Sequence, residues 1–226
     1  MKVTYLGHSA FLLDGRDKVL IDPFLTGNPK AAIAADKVEC DIICVTHGHG
    51  DHLGDAVNIA RRTKATVASI VEMSDYLQKC GVNSVGFNLG GTAKIRNTKI
   101  TMVPALHSSS IAAPGLEFSA AMPVGMVIDS GTVVYHAGDT TVFGDMKLIG
   151  DLHAPELAML PIGGFFTMDP REAALATKLI GPKVVVPMHY GTWPQIEQDP
   201  KEFEKLVRKS SKAKVVIMKP GDTLEV

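Results

Sequence analysis

The sequence predicts an α/β fold, in a single domain spanning residues 1–226, and three observations predict it. Between 41 and 80, strand-like and helix-like patterns alternate, which calls for parallel strands bridged by helices. From 83 to 106 the pattern changes to short strands around Gly-Gly and Asn-Thr turns, which predicts an antiparallel meander. Histidine and aspartate stand at strand ends in both halves of the chain, and no linker, low-complexity tract or charge block separates the halves. With 46% hydrophobic residues the chain can fill a sizeable core.

Residues 2–7 and 10–14 read as strands around Gly7-His8-Ser9, and 18–22 as a third strand reached through the turn Gly15-Arg16-Asp17. Asp22-Pro23 closes it. The apolar run 41–45 is a buried strand, and 53–62 follows as a helix. A strand at 65–70 and a helix at 72–80 come next, with Gly81 placed to end the helix. The meander ends in Ile100-Thr101-Met102-Val103-Pro104-Ala105-Leu106-His107, so His107 falls at a strand end. Residues 108–123 form the most loop-like segment, with Glu117 as its only charge, and loops of this kind commonly set specificity. A hairpin over 124–128 and 132–136 leads into His136-Ala137-Gly138-Asp139, and a helix is expected at 142–149. The strand at 157–161 runs into Ile162-Gly163-Gly164. Asp169-Pro170 has the cap-then-proline order of a helix start, and Ala173, Ala174, Leu175, Leu179 and Ile180 are expected largely on one face of that helix. Gly181-Pro182 stops it, and a buried strand over 183–188 ends at His189, followed by Trp193, the chain's only tryptophan. Tryptophan is more often a core residue than a ligand platform, but the place of Trp193 just after His189 shifts that balance, and both readings stay open. A helix at 200–209 and strands at 214–218 and 222–225 complete the order.

The stretch with chemistry is Thr46-His47-Gly48-His49-Gly50-Asp51-His52, three imidazoles and a carboxylate within seven residues on the turn after a strand. Neutral imidazole and carboxylate suit zinc, manganese or iron. Four ligands this close strain a single tetrahedral site, so His47 and His49 are expected on one ion and Asp51 and His52 on a second. The bland alternative is a solvated polar turn.

This motif matches every position of the H-x-H-x-D-H signature, and the chain thereby resembles the metallo-β-lactamase superfamily. The Gly7-His8-Ser9 turn with Ile21-Asp22-Pro23-Phe24, and the Pro161-Ile162-Gly163-Gly164 turn, resemble the branch that includes the L-ascorbate-6-phosphate lactonases and uncharacterised metal-dependent hydrolases. The resemblance covers essentially the whole chain. It implies an αββα sandwich, two mixed β-sheets packed face to face with helices outside. It also implies two divalent metal ions: His47, His49 and His107 on the first, Asp51, His52 and His189 on the second, and Asp139 bridging. Asp22 is expected beneath the metal loop as a support, and His136 either in the core or in a similar supporting place. His8 is expected near the mouth of the site, touching substrate or the metal-held water. The implied reaction is attack by a metal-bridging hydroxide on a small ester, lactone or phosphodiester, with Asp51 orienting or accepting the water's proton.

Other classes are disfavoured. His49 stands where flavodiiron relatives carry glutamate, and the ~35 residues after His189 leave no room for the helical extension of glyoxalase-type thioesterases. The net charge of -1 and the lack of a basic insertion argue against a nuclease and against nucleic-acid partners. A metal-binding scaffold without hydrolytic activity is the alternative from another class, and scaffolds usually lose a ligand, whereas every position here is filled. The amino terminus goes straight into a strand-like run, no apolar run approaches membrane-spanning length, and Cys40, Cys44 and Cys80 show no metal-ligand spacing. These features predict a reduced, cytoplasmic protein acting on a small-molecule substrate, with no membrane partner.

Overall fold

The computed structural model describes residues 1–111 and 121–226. In chain order the strands and helices are β1 (Lys2–Gly7), β2 (Ala10–Asp14), β3 (Lys18–Ile21), β4 (Ile42–Cys44), α1 (Gly50–Leu53), α2 (Ala56–Thr63), β5 (Thr66–Ile70), α3 (Val71–Lys79), β6 (Ser84–Phe87), β7 (Thr92–Ile95), β8 (Thr98–Pro104), β9 (Val124–Asp129), β10 (Val133–His136), α4 (Met146–His153), β11 (Leu157–Pro161), α5 (Pro170–Ile180), β12 (Val184–Met188), α6 (Pro200–Ser210), β13 (Lys214–Val215) and β14 (Thr223–Glu225).

The described strands form two seven-stranded sheets, ordered β14-β1-β2-β3-β4-β5-β6 and β13-β12-β11-β10-β9-β8-β7. Each is mixed. In the first, β14, β1, β2 and β3 pair antiparallel and β3, β4, β5 and β6 pair parallel. In the second, β7 to β10 pair antiparallel and β10 to β13 parallel.

Side-chain alternation along the second sheet separates its faces, as the two-residue strand period requires. Met102, Met126, Val134, Met159 and Val186 pack with Val3, Phe11, Leu20 and Ile43 of the first sheet. Their neighbours Val103, Val127, Tyr135, Ala158 and Val185 pack instead with Ile149 of α4, Ala173 and Ile180 of α5 and Phe203 of α6. On the far side of the first sheet, Ile59 of α2 and Met73 and Leu77 of α3 join the first cluster. The layers are therefore helix, sheet, sheet, helix. A fully buried Ile, Leu or Phe in such a core contributes about 1.5–3 kcal/mol.

Local chemistry accounts for the element ends. Asp169 caps α5 by accepting from Arg171 N and Glu172 N, both at 2.8 Å, while Glu172 accepts from Asp169 N at 3.1 Å. This reciprocal pair satisfies helix-end amides that would otherwise lack partners. Pro170 opens the helix and Gly181, at φ 68°, closes it in the left-handed region.

Several expectations need correction. The helix expected over 53–62 is two helices, and Asp51 and His52 lie in the first of them. The break comes at Gly54, whose φ is 42° and where a Cβ would sit 2.4 Å from the Pro23 carbonyl oxygen. Asp55 then turns the chain by accepting from Leu25 N and Thr26 N. β6 does not join the meander. The α3 crossover carries it to a parallel position beside β5, as a helix between two strands requires. The helix expected at 142–149 begins at Met146, with Asp145 at its N-cap position. Leu175 lies on the solvent side of α5, 48% exposed. The last strand, β14, returns to pair with β1.

Candidate metal centre

The candidate ligands come from loops at the ends of β4, β8, β10 and β12, and the first of these loops rests on Asp22. That residue is fully buried, and its own backbone has φ 44°. Its carboxylate accepts from Thr46 N at 2.8 Å, Thr46 Oγ1 at 2.7 Å and His52 Nδ1 at 2.8 Å. Because His52 Nδ1 donates to Asp22, its Nε2, 3.3 Å from Asp139 Oδ1, is the nitrogen left to ligate an ion once that ion displaces its proton. Thr46 Oγ1 spends its proton on Asp22 and so accepts from His47 Nδ1, at 3.1 Å. His47 Nε2 is thereby freed to face His49 Nδ1, at 3.0 Å. The loops approach closely enough that glycine is required. A Cβ on Gly48 would lie 2.6 Å from the Ser110 carbonyl oxygen, and one on Gly138 would lie 2.9 Å from that of Val124.

Asp139 sits at the centre, 2% exposed. Its Oδ2 lies 3.0 Å from His189 Nε2 and 3.6 Å from His107 Nε2. Asp51 Oδ2 lies 3.6 Å from His189 Nε2 and 3.8 Å from His52 Nε2. Donor atoms fall into three interlocking groups with every atom within 4.8 Å of the others in its group: His47, His49 and His107; His8, Asp51, His52 and His189; and His47, His52 and Asp139. The structure thus brings all seven sequence-predicted ligand candidates together.

Whether these residues fit divalent ions can be tested on the donor atoms themselves. His52 Nε2, Asp139 Oδ1 and both ring nitrogens of His189 are buried without a hydrogen-bond partner. His189 Nε2 is near Asp139 Oδ2 but not aligned with it as a hydrogen bond. Leaving such atoms unpaired costs about 1–3 kcal/mol each, a cost an ion would relieve. Two ligands on one tetrahedral zinc, each at about 2.0–2.1 Å, lie roughly 3.3 Å apart. The separations of 3.0, 3.3 and 3.6 Å within the cluster match that spacing. The residues fit.

The electrostatics agree. Burial would lower the His52 imidazole, but Asp139 and Asp22 outweigh it and push it well above the usual histidine value. His189 is likewise lowered by burial and raised more by Asp139, to about 9. Burial raises Asp139 and Asp22, and the neighbouring histidines hold both below the usual carboxylate range. In the metal-free chain, protons on His52 and His189 therefore supply the positive charge that the carboxylates require. His47, His49 and His107 are depressed, chiefly by burial, and stand neutral with lone pairs ready.

His8 does not lie at the mouth of the site. It is 1% exposed, at φ 59°, with Nδ1 2.8 Å from Thr192 Oγ1 and Nε2 3.1 Å from Asp51 Oδ2. Its carbonyl accepts from His189 N at 2.8 Å. Burial first, and the nearby His189 and His52, lower its imidazole to about 4 against the pull of Asp51. His8 thus sits behind Asp51 and holds it. His136, fully buried, donates from Nε2 to the Ser9 carbonyl and accepts from Gly138 N, so it steadies the turn that carries Asp139.

A cavity of about 460 Å³ opens onto His49, Asp51, His107, Asp139 and His189, and Ser108, Phe166 and Trp193 complete its lining. Of the two readings open for Trp193, the structure favours the platform, because its ring is a half-buried wall of this cavity. Gly163 packs against the His189 backbone, where a Cβ would lie 2.4 Å from the carbonyl oxygen. Thr192 and Phe166 were not anticipated. The pair Phe165-Phe166 directly after Gly163-Gly164 was the available signal. Most of the expected specificity loop, 112–120 with Glu117, lies outside the described residues.

A fold of two mixed sheets with converging histidines and aspartates defines a metallo-hydrolase, and comparison with known proteins agrees. Residues 17–190 match the family model described as a Beta-lactamase superfamily domain. The chain is similar to the UPF0173 metal-dependent hydrolase of Methanosarcina barkeri, at 50% identity over 100% of this chain and 99% of the relative. It is also similar to that of Methanopyrus kandleri, at 53% identity over 100% of both. Among solved structures it resembles Igni18, a metallo hydrolase from Ignicoccus hospitalis, with TM-score 0.89 and 44% identity over 99% of this chain and 97% of that one. The chain belongs to the metallo-β-lactamase superfamily and, within it, to the UPF0173 metal-dependent hydrolases. No helix among the described residues is long and apolar enough to cross a membrane.

Proposed function

We propose that this metal-dependent hydrolase is dinuclear and acts on a small ester, lactone or phosphodiester. The observation that carries the reading is the convergence of seven donor residues into interlocking groups whose buried donor atoms otherwise lack partners. His47, His49 and His107 would hold one divalent ion, Asp51, His52 and His189 the other, and Asp139 both. Zinc or manganese suits this nitrogen and oxygen set, and iron is compatible with it. Such ions, when bound, supply a water ionised near neutral pH and a Lewis acid for the carbonyl or phosphoryl oxygen.

The chain's own residues do the rest. Asp22 fixes the His52 tautomer directly and that of His47 through Thr46. Asp51 is 25% exposed at the cavity, the most accessible of the clustered carboxylates. Burial raises its carboxyl, but the His189 imidazole 3.6 Å away and the hydrogen bond from His8 hold it far below the usual range. Asp51 therefore orients a water as a hydrogen-bond acceptor and is a poor store for its proton. His8 is a positioning residue that acts through Asp51. The whole chain works as one domain, cytoplasmic, with reduced thiols. The free state of Cys40, Cys44 and Cys80 supports that compartment.

The reading is tested by assaying esters, lactones and phosphodiesters with protein loaded with zinc or manganese and with chelator-treated protein. Metal-dependent turnover of at least one class is expected. Turnover unaffected by stripping the metal would refute the reading.

A further inference from the structure

The cavity has a wall to which the hydrolase reading assigns no task. Phe166 is 49% exposed and Phe165 70%, with their rings edge to face at 4.7 Å. Large aromatic side chains left in water on consecutive positions commonly mark a binding surface. Their loop is tied down, because Gly164 N donates to the Met168 carbonyl at 3.0 Å and Met168 N to that of Thr140 at 3.1 Å. Phe166 is thereby anchored to the turn that carries Asp139. Trp193 is fixed independently, its indole 4.9 Å from the His8 imidazole at 32° and 6.4 Å from Phe24. The Trp193 ring and the backbone that carries Phe166 are thus positioned before any ligand arrives, which lowers the ordering cost of binding.

Charge points the same way. The described lining holds no lysine and no arginine. Residues 108–123, the segment that follows His107, also contain neither, and Glu117 is their single charge. Recognition of a phosphate away from the reacting bond ordinarily uses guanidinium or ammonium groups. No such group lines this cavity among the described residues.

We propose that the part of the substrate flanking the scissile bond is uncharged and apolar, an aryl group or an alkyl chain seated against Phe166 and Trp193. Substrates that carry a separate phosphate, phosphorylated sugar lactones among them, are disfavoured as a class. The proposal rests on the hydrolase reading above and specifies its substrate.

Trp193 is the chain's only tryptophan, so its emission reports on the cavity directly. Metal-loaded protein is titrated with uncharged methyl ketones from 2-butanone to 2-decanone. A saturable emission change is expected, with Kd falling up to about fourfold per added methylene until the cavity is filled. Phe166→Ala should weaken the longest ketone about tenfold or more and leave 2-butanone unchanged, and Phe166→Leu should retain most of the affinity. Both variants should keep metal content and circular dichroism, because the ring is half exposed. In parallel, kcat/KM is compared between γ-lactones with alkyl tails of increasing length and a phosphorylated sugar lactone. Preference for the long-tailed lactone supports the proposal. A Kd independent of chain length, or faster turnover of the phosphorylated lactone, overturns it. Ketone binding as described with no hydrolysis of any ester, lactone or phosphodiester would sink the hydrolase reading and leave the apolar site standing.

Discussion

Replacing Asp22 with asparagine should loosen the second metal without touching any ligand. The carboxylate is fully buried and accepts three hydrogen bonds, from Thr46 N, Thr46 Oγ1 and His52 Nδ1. Asparagine keeps the volume and one acceptor oxygen, which Thr46 N can still use. Its amide hydrogens then face Thr46 Oγ1 and His52 Nδ1. Facing a donor, the His52 ring is driven to the other tautomer, with Nδ1 accepting and the proton on Nε2, the nitrogen that must ligate. Thr46 Oγ1 can still accept from His47 Nδ1, so the first site is affected less. Losing a hydrogen bond to a charged group costs about 1.5–3 kcal/mol. At about 1.4 kcal/mol per decade that is roughly ten- to a hundredfold in affinity, the range typical of groups that orient metal ligands. Competition against a chromophoric chelator, stepwise over the first and second equivalents of zinc, measures both constants. Circular dichroism checks the fold. A second-ion affinity within twofold of wild type, in folded Asp22→Asn protein, would refute the claim that Asp22 sets the His52 tautomer.

Two further predictions concern stability. Asp169→Ala removes the α5 cap and leaves two helix-end amides without partners. It should cost about 1 kcal/mol, or a fall in Tm of about 2–4 °C by calorimetry on metal-loaded protein. Asp17 is buried, which raises its carboxyl, but hydrogen bonds from Thr98 Oγ1 and from the Asn97 backbone and side chain outweigh burial and hold it below the usual value. A depressed carboxyl contributes stability that is fully present above the unfolded value near 4 and is lost as pH falls through the folded value. Wild type should therefore exceed Asp17→Asn in urea midpoint at pH 7, and the gap should narrow on acidification toward pH 3. A constant gap would show that the charge on Asp17 is not what matters.

The residues differ in how plainly the sequence announces them. The metal loop is legible because imidazoles spaced by glycine at a strand end have little structural use otherwise, and His107, Asp139 and His189 each follow an apolar strand run. The α1 to α2 break was hidden because Gly54 is required by the nearby Pro23 carbonyl, a contact with a residue far upstream in the sequence. β6 has too few alternating residues to declare its partner, and its parallel pairing follows only from the α3 crossover. The place of His8 depends on Asp51, Thr192 and the His189 amide, contacts that join both ends of the chain. Trp193 likewise took its position from packing on His8 rather than from local pattern.

The central claim is that two ions share one buried cluster, and metal counting on the wild type and on His52→Ala tests it most directly. Elemental analysis after loading with excess zinc and removal of free metal should find about two ions per wild-type chain and about one in folded His52→Ala, because His47, His49 and His107 still hold the first. A wild-type value that saturates at one ion, or an unchanged count in His52→Ala, would contradict the two-ion account.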